Sequence, residues 1–423
     1  MHLPLLFVLF RKQKSVNLFS SQNRFMDQLF SFQNNISQTV NTTFRRYLYD
    51  TIPFENQLVG LKGIRGVGKT TLLLQYLSTQ PLATSLYCTA DHPWFYQHGL
   101  LETAEEWHKR GGRLLIIDEV HKYANWSAEL KNIYDGFPAM RTLFTASSAL
   151  DIYRGGADLS RRALTYNLHG MSFREYLAFY QIAQLPVLSL AGLLTNHQQI
   201  AFDWIKQLPS PLVHFKKYLQ TGYLPLGIET RTEDEYATRV FQLIDAVLGF
   251  DLAFLHDYSA VHQTKIRRLL GILSDSVPYT PNIQDLATTL QVSRNTILMW
   301  LQHLAQAALT RNIHKSGHGT SALQKPDKIV LENTNFSYAL GKRPNEGTVR
   351  ETFLANQMSN ANYDLILAQQ GDFLVDNQYT LEVGGKNKTH KQLKDVTDGW
   401  VVRDNTEVGY GTVVPLWLFG FLY

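Results

Sequence analysis

Eight residues limit what this chain can fold into more than any others: Gly63-Ile64-Arg65-Gly66-Val67-Gly68-Lys69-Thr70. They fit the phosphate-loop pattern G-x-x-x-x-G-K-[ST]. Leu58-Val59-Gly60-Leu61 before them reads as a short buried strand, and Thr71 to Leu77 after them reads as a helix. Glycines let the backbone curl so that successive N–H groups face phosphate oxygens, and the helix N-terminus adds partial positive charge. Lys69 can reach β- and γ-phosphates, and Thr70 can offer its hydroxyl to Mg²⁺. Further on, Leu114-Leu115-Ile116-Ile117 reads as a central strand ending in Asp118-Glu119. Asp118 is placed for the Mg²⁺ shell and Glu119 to polarise a water. A lone glycine-rich match can be a chance turn; the two stretches together indicate a nucleotide-binding site of hydrolytic type.

A chain of 423 residues is long enough for two or three domains. Its 44% hydrophobic and 18% charged residues are ordinary for a soluble globular protein. The single cysteine, Cys88, excludes an internal disulfide, fits a reducing cytoplasm, and lies in an apolar run that suggests a buried structural thiol. The net charge of +4 permits nucleic-acid contact without arguing for it. No stretch approaches the ~20 apolar residues of a membrane helix. The apolar opening His2 to Phe10 is short and is followed by Arg11-Lys12-Gln13-Lys14, so it reads as a weak anchor or signal at most. The favoured expectation is that translation starts at Met26 and that residues 1–25 are an over-extended gene prediction.

Taken in order, Asn34 to Tyr49 reads as helical and leads into Pro53 and the first strand. Strands are expected at 85–88, 113–118 and 141–145, and helices at 101–110 and 126–134. Such alternation predicts a parallel sheet covered on both faces, with ligands at the carboxyl ends of its strands. Ser147 or Ser148 then lies where a hydroxyl could meet the γ-phosphate, or else caps the next helix. Arg154 to Arg162, with a glycine pair and two arginines, suggests a loop carrying a charge-stabilising arginine, or simply a solvated one. Ser172-Phe173-Arg174-Glu175 spells a capping box, and from Met171 to about Asp257 the pattern is helical, broken at Tyr218 and at Gly222 to Pro225.

A further unit opens near Gln263. Leu286 to Ile297 has helix-turn-helix spelling with Ser293 as N-cap, and Arg311 to Leu331 looks like a wing around a Gly-rich Lys315–Ser321 segment. On duplex DNA, Arg294, Asn295 and Thr296 would face the major groove, with Lys315 and Lys325 on phosphates. The competing reading is a packing module that touches no DNA. In the last unit, a helical Glu351, Asp372 at the start of a strand and Glu382 on the next could gather as a carboxylate cluster suited to Mg²⁺, with Lys386 following. Taken singly, each of these carboxylates reads as a solvated surface group. Pro415 to Tyr423 reads as a buried closing strand.

Taken together, Gly63–Thr71, Leu114–Glu119, Phe144–Ser148, Tyr153–Tyr176, Leu286–Ala308, Lys325–Asn335 and Arg350–Lys388 give the chain an order that resembles prokaryotic AAA+ ATPases of the archaeal-ATPase kind, relatives of the signal-transducing NTPases. The resemblance covers nearly everything after Met26. It implies an α/β fold: a P-loop NTPase parallel sheet with helices on both faces (34–170), a helical lid (171–262), a winged helix (263–340) and a small α/β, restriction-endonuclease-like domain (341–423). It implies ATP and Mg²⁺ as ligands. Gly63, Arg65, Gly66, Val67, Gly68, Lys69, Thr70 and Thr71 would bind nucleotide, and Thr70 and Asp118 the metal. Glu119 would be the catalytic base, Ser147 the sensor, and Arg161 or Arg162 an arginine finger. The nuclease-like resemblance brings Glu351, Asp372 and Glu382, but position 384, where a lysine is expected, is Gly, leaving Lys386 as the substitute. ATP rather than GTP follows from the resemblance; no Asn-Lys-x-Asp spelling follows the core. The implied function is a cytoplasmic Mg²⁺-dependent ATPase whose nucleotide state gates its C-terminal units, with duplex DNA or a protein as partner. The alternatives are a nucleotide-operated switch or DNA-binding module with little turnover, and an ATP-regulated DNA nuclease.

Overall fold

The computed structural model describes residues 26–148, 159, 161–252, 258–275, 280–315, 325–341, 344–394 and 396–423. Helix α1 covers 26–37, and turns rather than the expected helix carry the chain on to Tyr49. Strands β1 (Leu58–Gly63), β2 (Ser85–Thr89), β3 (Leu114–Asp118), β4 (Arg141–Ser147) and β5 (Leu164–Asn167) form one sheet in the order β2-β3-β4-β1-β5. Every pairing in it is parallel. β5 was not expected from sequence; it is a four-residue edge strand with no apolar run to announce it.

Alternation within the apolar strands assigns the two faces. Val59, Leu61, Leu114 and Ile116 share a core with Leu72, Leu73 and Tyr76 of α2 (Lys69–Leu77). Leu58, Leu86, Cys88, Leu115 and Ile117 point the other way. There they meet Leu29 of α1, Trp107 of α3 (Leu100–Lys109) and Ile133 of α4 (Trp126–Gly136). Successive side chains on a strand point to opposite faces, so near-continuous apolar runs mean helices on both. The fold is thus the α/β parallel sheet expected of a phosphate-loop protein.

Four helices follow: α5 (Phe173–Phe179), α6 (Leu190–Ile205), α7 (Pro211–Thr221) and α8 (Glu233–Ala246). The break at Gly222–Pro225 is present, whereas Tyr218 lies inside α7, its ring buried and its hydroxyl donating to the Met171 carbonyl. Helices α9 (Ala260–Asp275), α10 (Ile283–Leu290) and α11 (Arg294–Gln306) precede an antiparallel ribbon of β6 (Thr310–Ile313) and β7 (Lys328–Leu331). Asn282 and Ser293 cap α10 and α11, and Gln291 takes a left-handed turn between them. The central part of the expected wing, 316–324, lies outside the described residues.

After α12 (Thr334–Leu340) and α13 (Glu346–Asn360) comes a second five-stranded sheet. Its strands are β8 (Leu365–Leu367), β9 (Phe373–Val375), β10 (Tyr379–Gly384), β11 (Gly399–Arg403) and β12 (Val413–Pro415), in the order β12-β11-β10-β9-β8. β10 pairs antiparallel with β9 and parallel with β11. The chain does not close on a strand as expected. Leu416–Phe421 is a 3-10 helix started by Pro415, and every residue in it is buried against α5, α6 and α13. Burial on all sides gives the same apolar run for either structure, so composition could not separate them.

Candidate functional site

β1 delivers the chain into the loop at Gly63, and α2 begins at Lys69 with Gly68 as its N-cap. Gly66 (φ 78°) and Gly68 (φ 96°) both lie in the left-handed region, which only glycine enters without strain. Lys69 is buried and donates Nζ to the carbonyls of Gly63 at 2.7 Å and Ile64 at 3.1 Å.

Asp118 ends β3 and is 3% exposed. Its Oδ2 accepts from Thr70 Oγ1 at 2.6 Å and from the Tyr87 hydroxyl at 2.8 Å, and its Oδ1 accepts from Thr145 Oγ1. Burial and the Asp118 charge push the Tyr87 phenol far up, so it stays a donor. Thr70 and Asp118 therefore present a hydroxyl and a carboxylate to one point at the mouth of the loop. That donor set fits Mg²⁺, which takes one or two protein oxygens and otherwise water and substrate phosphate.

Glu119 follows in a left-handed conformation (φ 52°), and its N–H donates to Thr145 Oγ1 at 2.8 Å. Burial first and then Asp118 raise its carboxyl above the ordinary glutamate value, while Lys69, Arg65 and Lys122 pull it down. The buried His121 Nε2 lies 3.9 Å from Glu119 Oε2. Ser147 ends β4 directly beside Gly63 in the sheet register and is 1% exposed. Ser148 is turned elsewhere, its Oγ donating to the Ala307 carbonyl at 3.0 Å.

The arginine-finger candidates are not brought to this loop. Arg162 pairs with Asp135 at 2.9 Å and Arg161 is exposed, both just before β5 begins. Leu164 of β5 pairs with Val59 near the start of β1, at the end of the strands opposite the phosphate loop and about 13 Å from it at strand rise. The rest of that candidate loop, 149–158 and 160, lies outside the described residues.

A cavity of about 640 Å³ opens over the loop, lined by Arg65 to Thr71 and Glu119. Val40 and Phe44 wall it from the turns after α1, and Pro225, Leu226 and Ile228 from the segment after α7. The sequence showed nothing of this apolar clamp, because its two sides lie some 180 positions apart in irregular segments with no period to read.

Arg294 and Asn295 are exposed at the start of α11, and Thr296 is half-buried. Lys325 is exposed, and Lys315 donates its backbone N–H to Asp327. In the C-terminal sheet, Glu351 (α13), Asp372 (just before β9) and Glu382 (β10) do come together: burial chiefly raises both glutamates, and the Asp372 charge raises each of them further. The lysine is a different one. Lys386 is exposed, while Lys388 Nζ pairs with Glu382 and Lys328 Nζ, from β7, pairs with Glu351. A Cβ on Gly384 would sit 2.5 to 2.7 Å from the Lys388 stem, so glycine at 384 is what lets Lys388 cross to Glu382. Among the described residues no group of three or more His, Cys, Asp or Glu is arranged to hold a metal ion, and both glutamates of this cluster are already ion-paired.

Residues 55–177 match the family model described as an AAA domain. The chain is 27% identical over 289 residues to an uncharacterized protein of Methanocaldococcus jannaschii, a match spanning 65% of this chain and 60% of that protein's length. Similar solved structures include Aeropyrum pernix ORC1 in complex with DNA (TM-score 0.29, 12% identity, 73% of this chain and 91% of that one). AMPPCP-bound DnaA from Aquifex aeolicus is another (TM-score 0.23, 13% identity, 61% of this chain and 84% of that one). Likenesses this low carry no argument about activity. The stretch that matches the AAA-domain model, residues 55–177, holds the phosphate loop and the Asp118–Glu119 pair.

Proposed function

We propose that this protein binds and hydrolyses ATP with Mg²⁺, and that its nucleotide state gates the units that follow the core. The observation that carries this is the convergence of Thr70, Asp118 and Glu119 at the mouth of the phosphate loop. Backbone N–H groups from Gly66 to Thr70 and the Lys69 ammonium bind the phosphates. Val40, Phe44 and Leu226, on the apolar walls of the cavity, receive the base. Thr70 and Asp118 hold Mg²⁺, which when bound offsets phosphate charge. Glu119 orients the attacking water and takes its proton, and the raised pKa makes it a better base near neutrality than an ordinary glutamate. Ser147, beside Gly63, serves as the polar sensor of the γ-phosphate. Because Leu226 and Pro225 belong to the helical segment, nucleotide in the cavity touches core and helices together, which supports gating.

The helix-turn-helix of α10 and α11 is proposed as a winged-helix contact to duplex DNA, supported by the exposure of Arg294 and Asn295. A switch with negligible turnover is the second reading, and the placement of Glu119 speaks against it. The two lysines that occupy Glu351 and Glu382 speak against an active nuclease. The test is phosphate release from Mg-ATP with and without duplex DNA, beside Lys69→Ala as blank. Turnover lost in the variant and raised by DNA supports the whole reading. Turnover indifferent to DNA leaves the ATPase and points to a protein partner, and no turnover in the unaltered protein leaves the switch.

A further inference from the structure

The phosphate loop is gripped by an arginine from outside the segment that carries it. Arg46 lies in the turns between α1 and β1 and is 6% exposed. Its Nη1 donates to the Val67 carbonyl at 2.5 Å and its Nη2 to the His169 carbonyl at 2.6 Å. Nε and Nη2 also donate to the two oxygens of Glu175, at 2.9 and 3.2 Å. Glu175 in turn accepts from the backbone N–H groups of Tyr47 and Ser172, closing the cap of α5. One guanidinium thus joins the phosphate loop, the segment before the sheet and the first helix after it.

Val67 sits between the two left-handed glycines, where the backbone is otherwise least restrained. The Val67 carbonyl and the Gly68 N–H belong to one trans peptide plane and point in opposite directions. Holding the carbonyl on Arg46 therefore aims the Gly68 N–H away from Arg46. We propose that Arg46 is a positioning residue for nucleotide binding: by fixing the Val67–Gly68 peptide it keeps a phosphate-binding N–H turned toward the ligand. This rests on the nucleotide-site reading above. Glu175 anchors the arginine, and Arg46 itself sets the peptide.

A merely structural ion pair between Arg46 and Glu175 would affect folding alone, so affinity is the quantity to read. Lysine keeps the charge beside Glu175 but has no planar fork to span both carbonyls and the carboxylate. The experiment measures Kd for Mg-ATP and for ADP, with thermal melts, on the full-length parent, R46K and E175Q. The expected result is a rise of about ten-fold or more for both nucleotides in R46K, as misplaced binding groups commonly cost. A smaller rise is expected in E175Q, where the guanidinium can still reach Val67 and His169 but loses the ionic anchor that holds it there and so braces the loop less firmly. R46K binding within about two-fold of the parent overturns the proposal. Should R46K fail to fold, amide exchange of residues 64–70 in E175Q decides. Exchange several-fold faster there, with β10 to β12 unchanged, supports the brace, and parent-like exchange overturns it. A parent that binds no nucleotide fails the reading underneath and the proposal with it, an outcome distinct from a parent and R46K that bind alike.

Discussion

Thr70 Oγ1 donates to Asp118 Oδ2 at 2.6 Å, so residues 48 positions apart, at the start of α2 and the end of β3, share one carboxylate oxygen. Two oxygens fixed this way leave the divalent ion little adjustment to make. Asp118→Asn keeps the shape and removes the charge. The Mg²⁺ concentration for half-maximal turnover should rise at least about ten-fold, the low end of what even outer-shell changes cost a metal site. Nucleotide binding measured without Mg²⁺ should stay close to the parent's. An unchanged Mg²⁺ requirement would remove Asp118 from the metal shell.

Glu119 sets a pH dependence. Its carboxyl is raised chiefly by burial, so the ionised base is lost on acidification at a higher pH than an ordinary glutamate would be. The acid limb of the turnover profile should lie above the usual carboxylate range. Arg65→Gln, which removes a charge that holds the value down, should move that limb higher still. The stability sign runs the other way. The folded state prefers protonated Glu119, so its contribution is most favourable at low pH and declines as pH rises through the raised value. Glu119→Gln should therefore melt no lower than the parent at neutral pH; a melt several degrees lower would contradict this.

Lys388 and Lys386 should behave differently although both are lysines of one loop. Lys388→Met strips the counter-ion from Glu382, which is 3% exposed, and should cost about 1–3 kcal/mol. Lys386→Met, on an exposed side chain, should stay within about 0.5 kcal/mol. Gly384→Ala pushes a methyl into the Lys388 stem and should fall on the Lys388 side of that divide. Denaturant unfolding monitored on the three variants ranks them, and equal costs for both lysines would contradict the assignment.

If α11 reads duplex DNA, Arg294→Ala should weaken binding by about 1–3 kcal/mol. Basal ATP turnover should be unaffected, since α11 contributes nothing to the lining of the nucleotide cavity. Fluorescence anisotropy of a labelled duplex at two salt concentrations reads the affinity, and phosphate release without DNA reads the basal turnover. Duplex affinity equal in parent and variant would leave the three-helix unit as a packing module.

The phosphate loop and the Asp118–Glu119 pair were legible because their chemistry is written in contiguous residues, and the apolar strand runs gave the parallel sheet. What was not legible depends on the path of the chain through space. Arg46 is one basic residue in a stretch that reads as helical in sequence, and nothing local says that it meets Val67, His169 and Glu175. Val40, Phe44 and Leu226 meet only because the helices after the core fold back over it. Counting positions from Glu382 points to Lys386; the missing side chain at Gly384 makes Lys388 the lysine that arrives. Arg161 and Arg162 lie within the core segment, yet the direction of β5, parallel to β1, puts them at the amino-terminal end of the strands, away from the phosphate loop.

The most direct test of the account is turnover and nucleotide retention in Glu119→Gln beside the parent. The account expects the variant to bind Mg-ATP with parent-like affinity and to hold it unhydrolysed, with single-turnover phosphate release down by about a hundred-fold, the lower range of a general base's contribution. Phosphate release from Glu119→Gln at the parent's rate would contradict it, because the residue placed as the base at the mouth of the loop would then play no part in the chemistry.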